Sequence, residues 1–431
     1  MQFGGVMSFY VTGASFPASG LSFSSASTPA GSVNRFFTIT VNYNDGTEPV
    51  TYSPVGVGAK NISLYPINST AINPAAGLYG GRAFADGNRP DRLVTITCSD
   101  WSAITSLGLN AQYFSRPQTL GVPFRLMRNL VTFSAINGFA AGGSYAQVTE
   151  MDTALFTLPY MATFQLGGVN FLPTSRYYGY LQPQWLNANL TTFLVGGPGY
   201  AGKTFAASNL SAINASSLPN LISLGMNAGI LGNDDNGFGE GAFPIEWTTL
   251  NKLLTFNVGA TRWTKIPDRV NLLSPTLQVI LMVYMPITAW AGDLSNLVNL
   301  TTLTLTGSVS FTNTLPSYLN NLTRLKSLGY AGVSYNREAG WVDVLVDNWY
   351  NFVVSHSAIT GTAATPFRSM SFDLRSIDPV NVPANTQIPS GIYQAPAGFV
   401  SGVSNGTPAG SLEKIYVLEN QYAHKWLYRV Q

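Results

Sequence analysis

The 431-residue chain is 45% hydrophobic but only 10% charged, with a formal net charge of +2. An average soluble protein is about one-quarter charged, and a disordered chain is aromatic-poor; with 24 Phe, 21 Tyr and 8 Trp, this chain matches neither and draws its polarity from Ser, Thr, Asn and Gly. Arg and Lys are scattered without a basic stripe, which argues against a nucleic-acid partner, and a single cysteine, Cys98, excludes an intrachain disulfide framework or a Cys-based metal site.

The N-terminus, MQFGGVMSFYVTGASFP, has no basic segment, long apolar segment or cleavage signal. Synthesis in the cytoplasm without a leader is the expectation. The first element is a hairpin: Phe36 to Tyr43 (FFTITVNY) alternates as a strand, Asn44-Asp45-Gly46 supplies the turn, and Glu48 to Val55 returns. The stretch 61–92, rich in Asn, Pro, Gly and Ala, reads as loop. Residues 1–90 are therefore expected to form a small β domain that caps or attaches the rest. Cys98 is expected as a small buried apolar residue.

From there a short pattern recurs: an apolar residue, two free positions, an apolar residue, one free position and a final apolar residue, the third residue usually being Thr or Ser. It stands as ITSLGL from Ile104, LVTFSA from Leu130, MATFQL from Met161, LTTFLV from Leu190, LISLGM from Leu221 and LLTFNV from Leu253. It continues as LQVILM from Leu277, LTTLTL from Leu300, LKSLGY from Leu325, FRSMSF from Phe367 and LEKIYV from Leu412, with a weaker opening copy, LVTITC, from Leu93. From Leu130 to Leu325 the spacing runs between 23 and 32 residues, then widens to 42 and 45. A fixed motif at irregular spacing implies one repeated strand with return segments of variable length, stacked so that neighbours share a core.

Two units add an upstream half: Leu294, Leu297, Leu300, Leu303 and Leu305, and the LPSYLNNLTRLKSL segment with apolar residues at 315, 319, 322, 325 and 328. Ile266-Pro267 and Pro244-Ile245 look like degenerate copies. These segments resemble the leucine-rich repeat family over roughly residues 93–431, most closely over 290–330. The resemblance implies a solenoid with one exposed sheet face. The family places asparagine after the strand to bond the turn backbone; here only Asn110, Asn137 and Asn227 stand near that place.

Alternate strand residues point away from the core. The outward set is expected to be Ser106, Gly108, Thr132, Ser134, Thr163, Thr192, Ser223, Gly225, Thr255, Asn257, Thr302, Thr304, Ser327 and Gly329. Of these, Thr132, Ser134, Thr163, Thr192, Thr255, Asn257, Thr302 and Thr304 are the candidate binding residues. Such a face is hydroxylated and uncharged, suited to another subunit or a sugar; the strand propensity of Thr explains the same residues without any ligand.

Other signals are weaker. Gly197 to Thr204 satisfies GxxxxGK[ST], where Lys203 and Thr204 would hold phosphate and magnesium, but no amphipathic helix follows and no βαβ series surrounds it. Asn233 to Glu240 clusters oxygen ligands without the spacing of an EF-hand loop, so a solvated turn is the expectation. The two histidines, His356 and His424, lack the neighbours of a triad or zinc site. The 20 acids are scattered, so no catalytic residue, metal site or cofactor is expected. No run reaches about 18 apolar residues, the longest being Val279 to Pro286. Asn299-Leu-Thr and Asn321-Leu-Thr fit repeat composition better than glycan acceptors.

Towards the C-terminus, Trp341 to Val354 places Val342, Leu345, Val346, Trp349, Phe352 and Val353 on one helical face, and His356 is expected just beyond that helix. The tail from Pro389 reads as a closing module in which Trp426 and Tyr428 close the core. Helix and tail together resemble repeat proteins of tailed bacteriophages and some environmental bacteria.

The expectation is thus an α/β, β-rich leucine-rich-repeat solenoid with a small N-terminal β domain, divided into residues 1–90, 91–335 and a helix-containing cap at 336–431. The expected role is non-enzymatic: a structural part of a virus particle (phage tail, baseplate or capsid surface), oligomeric within an assembly. Its expected partners are other virion proteins and a host-surface glycan or receptor. The alternative is a bacterial cell-surface adhesin or glycan-binding repeat protein.

Overall fold

A computed structural model describes residues 5–11, 21–24, 37–44, 46, 48–52, 59–62, 92–109, 118–135, 146–166, 169–171, 183–195, 210–227, 243–259, 263, 266–283, 293–306, 317–325, 327–329, 341–356, 359, 371–373 and 389–427. The chain divides into two compact units, Met1–Ile230 and Leu231–Gln431.

The first unit opens with an antiparallel sheet of four strands, Val6–Val11, Arg92–Cys98, Ile39–Asn42 and Val50–Tyr52, in that spatial order. Alternation explains its inner face: Met7, Phe9, Ile39, Val41, Val94 and Ile96 are all buried. The predicted hairpin is present, with Ile39 opposite Tyr52. Its turn uses left-handed backbone at Asn44 (φ 49°) and Gly46 (φ 82°), and the Asn44 N–H donates to Asn42 Oδ1 at 2.8 Å.

The Leu93 copy of the motif is not an opening repeat strand. It lies inside this antiparallel sheet, paired on both sides. It carries the alternation of a strand, but the positions three and six residues upstream are Pro90 and Gly87, which cannot supply an apolar return. Cys98, at the end of this strand, is half-buried rather than buried, and burial pushes its thiol up to about 11.

The repeats begin at Ser106–Leu109. Strands Ser106–Leu109, Thr132–Ser134, Thr163–Leu166, Thr192–Val195 and Ser223–Asn227 pair in parallel, each motif exactly one register step from the next in sequence order. The free edge of the first strand is covered by Leu21–Ser24, which pairs antiparallel with it and with Ala59–Ile62; N-terminal residues thus close an edge that would otherwise invite strand addition. A second parallel sheet, unforeseen from sequence, joins Gln118–Leu120, Ala146–Met151 and Val169–Phe171.

The second unit repeats the pattern with Thr255–Gly259, Val279–Val283, Thr302–Thr306 and Ser327–Gly329, again parallel and in register. Nine of the motif copies therefore form repeat strands among the described residues.

The three-residue step upstream of each strand has a simple cause. The return segments are 3₁₀ turns, in which residues three apart eclipse one another on one face. The Leu300 N–H donates to Leu297 O and Leu297 N–H to Leu294 O; Leu325, Leu322 and Leu319 repeat this, as do Leu130, Met127 and Phe124. All nine side chains are buried. Each strand then enters through a shared carbonyl: Thr105 O accepts from both Val131 and Thr132 N–H, Val131 O from Ala162 and Thr163, Ala162 O from Thr191 and Thr192.

Among the described residues, a side-chain ladder that locks neighbouring repeats sits before the strand. Asn129 Nδ2 donates to Ser102 O, Asn189 to Pro159 O, Asn220 to Ala188 O and Asn299 to Pro275 O, at 2.8–3.2 Å. Each is the residue before the motif's first apolar position, reaching one repeat back. Asn110 and Asn137 lie outside the described residues, and Asn227 ends its strand.

Beyond the ladder, a helix spans Trp341–His356. The six predicted apolar residues of its inner face are buried, and His356 is its last residue rather than lying beyond it. The two remaining motif copies are not repeat strands. Ser371–Asp373, overlapping the end of the Phe367 copy, pairs with Lys425–Leu427 in a separate two-stranded sheet. The Leu412 copy lies in the helix Ser411–Tyr422. Its spacing suits a helix equally, because residues three apart share a helical face, and Ile415, Leu418 and Tyr422 are buried. Gly410 stands at its N-cap and Ala423, at φ 56°, ends it in left-handed backbone. Trp426 is buried; Tyr428 lies outside the described residues.

Three side chains of this second helix tie the tail together. Glu413 accepts from Ala409 N–H at 2.7 Å and Gln394 Nε2 at 2.7 Å. Glu419 accepts from Trp426 N–H and the Tyr393 hydroxyl. Gln421 holds the hairpin Ala397–Val400/Ser404–Thr407. The bonds from Ala409 N–H, then from Gln394, hold the Glu413 carboxyl below the usual carboxylate range. Its stabilising effect is therefore present above about pH 4.3, the ordinary glutamate value, and is lost as pH falls through the lower folded value. Hydrogen exchange is expected to show the Ser411–Tyr422 helix losing protection in that acid window, and Glu413→Gln flattening the response.

Candidate functional site

In both ladders the strand residues divide into buried and outward columns. The buried columns carry the large side chains. In the first unit Phe133, Phe164 and Phe193 stack at centroid distances of 6.1 and 5.7 Å, flanked by Phe124, Phe156 and Trp185. In the second, Phe256 packs against Phe243 and Trp247.

The outward face of the first unit has two columns. One runs Ser106, Thr132, Thr163, Thr192, Ser223; the other runs Gly108, Ser134, Gln165, Leu194, Gly225. In the second unit they run Thr255, Val279, Thr302, Ser327 and Asn257, Leu281, Thr304, Gly329. The eight candidate residues all occupy these columns: Thr132, Ser134, Thr163 and Thr192 in the first unit, Thr255, Asn257, Thr302 and Thr304 in the second. All eight are half-buried. No position in either set of columns carries a charge or an aromatic ring. Successive rungs are one strand spacing apart, about 4.8 Å, so the column Ser106, Thr132, Thr163, Thr192, Ser223 is a regular hydroxyl ladder; the other three columns are mixed.

Sequence reasoning missed four members: Gln165, Leu194, Val279 and Leu281. Their positions follow from the register, but their residue types break the hydroxyl pattern, and the run LQVILM is apolar on both faces. Leu194 has a defined job. It lies over Gly225, where an added Cβ would fall 2.8 Å from its Cγ, and Gly225 is buried beneath it. Gly225→Ala is therefore expected to cost about 1–3 kcal/mol through overpacking. In a double-mutant cycle followed by urea unfolding, Leu194→Ala should recover most of that loss; additive effects would show that the two do not meet.

Electrostatically the face is neutral, and the ionisable groups with shifted behaviour lie elsewhere. Asp293 is held below the usual carboxylate range by the Ser295 hydroxyl and backbone N–H, with a further bond from Asn271. Asp152, buried, caps the 3₁₀ turn Thr153–Thr157 through Ala154 N–H and meets Arg125 at 3.3 Å. One outward polar atom stands out: Asn257 Oδ1 is buried without a hydrogen-bond partner.

The Gly197–Thr204 and Asn233–Glu240 loops lie outside the described residues. Among the described residues, no group of three or more His, Cys, Asp or Glu side chains is placed to hold a metal ion, and no helix is long and apolar enough to cross a membrane. His424 is buried in the tail, its Nδ1 accepting from Trp349 Nε1 at 3.4 Å.

Parallel strands in strict register, fed by turns with buried apolar residues three apart, as at Phe124-Met127-Leu130 and Leu294-Leu297-Leu300, define a leucine-rich-repeat-type fold. No protein-family model and no curated protein sequence matches the chain. Among solved structures, the chain is similar to the plant peptide hormone receptor RGFR1 in complex with RGF2 (18% identity, TM-score 0.32, covering 51% of this chain and 31% of that one). It is likewise similar to the leucine-rich-repeat ectodomain of the Arabidopsis receptor kinase HAESA in complex with an IDA peptide hormone (15%, 0.34, 56% and 36%). A third is an internalin from Listeria monocytogenes (17%, 0.27, 57% and 72%). The chain spans about a third of the length of the two receptor chains. The repeat type rests on the register and the returns described above.

Proposed function

We propose that this protein is a non-enzymatic repeat scaffold that acts as a structural component of a virus particle, joining neighbouring virion proteins through the outward columns of its strand ladders. The observation that carries this reading is the neutrality of those columns. An uncharged face of Thr, Ser, Gly, Asn, Gln, Val and Leu has little to gain from a charged ligand. It also loses little by desolvation when another neutral surface covers it. The 10% charge content extends the same property to the chain as a whole, as suits a protein packed among others. A host-surface receptor or glycan is a second partner that the hydroxyl columns suit.

Quantitative mass spectrometry of purified particles tests the reading. Recovery of the chain at fixed stoichiometry with the major virion proteins supports it, and its absence from particles sinks it. A second reading, a cell-surface adhesin, is favoured by the regular hydroxyl ladder of Thr132, Thr163 and Thr192. It requires that the purified chain select defined sugars on a glycan array and be found on cells rather than in particles.

A further inference from the structure

We propose that Val279 and Leu281 anchor the joining surface, taking one aliphatic or aromatic side chain from an uncharged segment of a neighbouring virion protein. This rests on the joining role proposed above and adds where on the face the partner is held and by what chemistry. A strand with one buried face alternates apolar and polar residues, and the flanking strands obey: Thr255 and Asn257 stand on one side, Thr302 and Thr304 on the other. The strand Val279–Val283 (VILMV) does not. Ile280 and Met282 are buried, while Val279 and Leu281 stand outward and half-buried.

In the first unit an outward leucine has an internal explanation: Leu194 closes over Gly225, which leaves it a seat. Leu281 lies between Asn257 and Thr304, and Val279 between Thr255 and Thr302. All four neighbours carry side chains, so no glycine gap accounts for the apolar pair. Asn257, level with Leu281, supplies a second observation: its Oδ1 is closed off from water and has no hydrogen-bond partner. A buried acceptor without a donor is destabilising in the free chain, and a backbone N–H arriving with a neighbour offers the missing bond. Dimensions limit the occupant. Val279 and Leu281 are two residues apart, about 6.6 Å, and the polar rungs stand about 4.8 Å to either side. That is room for one side chain inside a polar rim, the arrangement of an interface hot spot. A sugar would lay hydroxyls unpaired on the aliphatic step, and a charged segment would lose its hydration with no charge in the columns to replace it.

The full chain carrying Val279→Thr and Leu281→Thr tests the anchor. These changes match the threonines of the flanking rungs, keep the face neutral and retain strand-forming residues. In competition with the parent chain, with folding verified by circular dichroism, the variant is expected to be depleted from particles at least about tenfold. Equal incorporation overturns the anchor and leaves the neutral joining surface standing; absence of the parent chain from particles overturns both. Should the variant fail to fold, a photoreactive leucine analogue at position 281 of the parent chain decides. In purified particles its adduct is expected on an uncharged polypeptide segment that the same analogue at Leu272, 51% exposed at the end of a return turn, does not capture. Capture of a charged segment or a glycan, the same capture from both positions, or none from position 281 overturns the proposal.

Discussion

Phe164→Ala is expected to lower the stability of the first unit by about 3–5 kcal/mol, the largest effect of any single truncation in its repeat strands. Phe164 is 1% exposed and is the central rung of the aromatic column. It stacks on Phe193 at 5.7 Å and touches Phe133, Phe156 and Trp185 within 6.1 Å. Alanine removes the ring from between two repeats, and neither can close the gap without breaking its backbone register with the other. Thr163→Ala, one residue away on the outward face, should change stability by less than about 0.5 kcal/mol. Urea unfolding checks the pair. Similar small losses for both would mean that the column is not the core, and similar large losses that the outward face is not outward.

Gln421→Ala is expected to cost about 3 kcal/mol and to free the Ala397–Thr407 hairpin. This carboxamide, 3% exposed, accepts from Gly402 N–H at 2.7 Å and donates to Val400 O at 3.1 Å and Ser404 O at 2.8 Å. A two-stranded hairpin is marginal by itself, and here one side chain satisfies three backbone groups around its turn. Gln421→Glu keeps the acceptor but turns a second oxygen towards two carbonyls, so it should be no better than alanine at neutral pH. Exchange rates of the hairpin amides give the readout; unchanged protection in Gln421→Ala would place the hairpin's stability in its Phe399–Tyr416 ring contact instead.

Much of this fold is legible in the residues, because two periods are written plainly. The alternation in FFTITVNY and the Asn44-Asp45-Gly46 turn specify a hairpin, and the fixed motif specifies repeated strands; the three-residue leucine step at 294–300 and 319–325 is legible as a repeat, and the 3₁₀ geometry of those returns comes only from the fold. The misassigned motif copies share one cause: a six-residue pattern is too short to exclude its competitors. LEKIYV satisfies strand and helix spacing equally, and in the fold it lies in the Ser411–Tyr422 helix with Ile415 and Leu418 buried. LVTITC has the alternation of a strand, and only the missing return upstream tells that it pairs antiparallel. The asparagine ladder escaped notice because it bonds from the residue before the motif's first apolar position, three residues ahead of the strand, a place where sequence spacing predicts no backbone need. The outward columns could be found from alternation, yet Leu194 could not be recognised as the cover of Gly225, since that contact lies between residues 31 positions apart in sequence but adjacent in register.

The most direct test of the proposed role is competitive incorporation into particles. Chains carrying Thr163→Lys and Thr192→Lys on the outward face would compete with the parent chain for assembly, beside a control with Tyr160→Lys and Ile222→Lys, both already exposed and outside the columns. With folding of all chains verified by circular dichroism, the face variant should be depleted from particles at least about tenfold while the control enters with the parent. Equal incorporation of both would contradict the claim that the neutral columns are the joining surface.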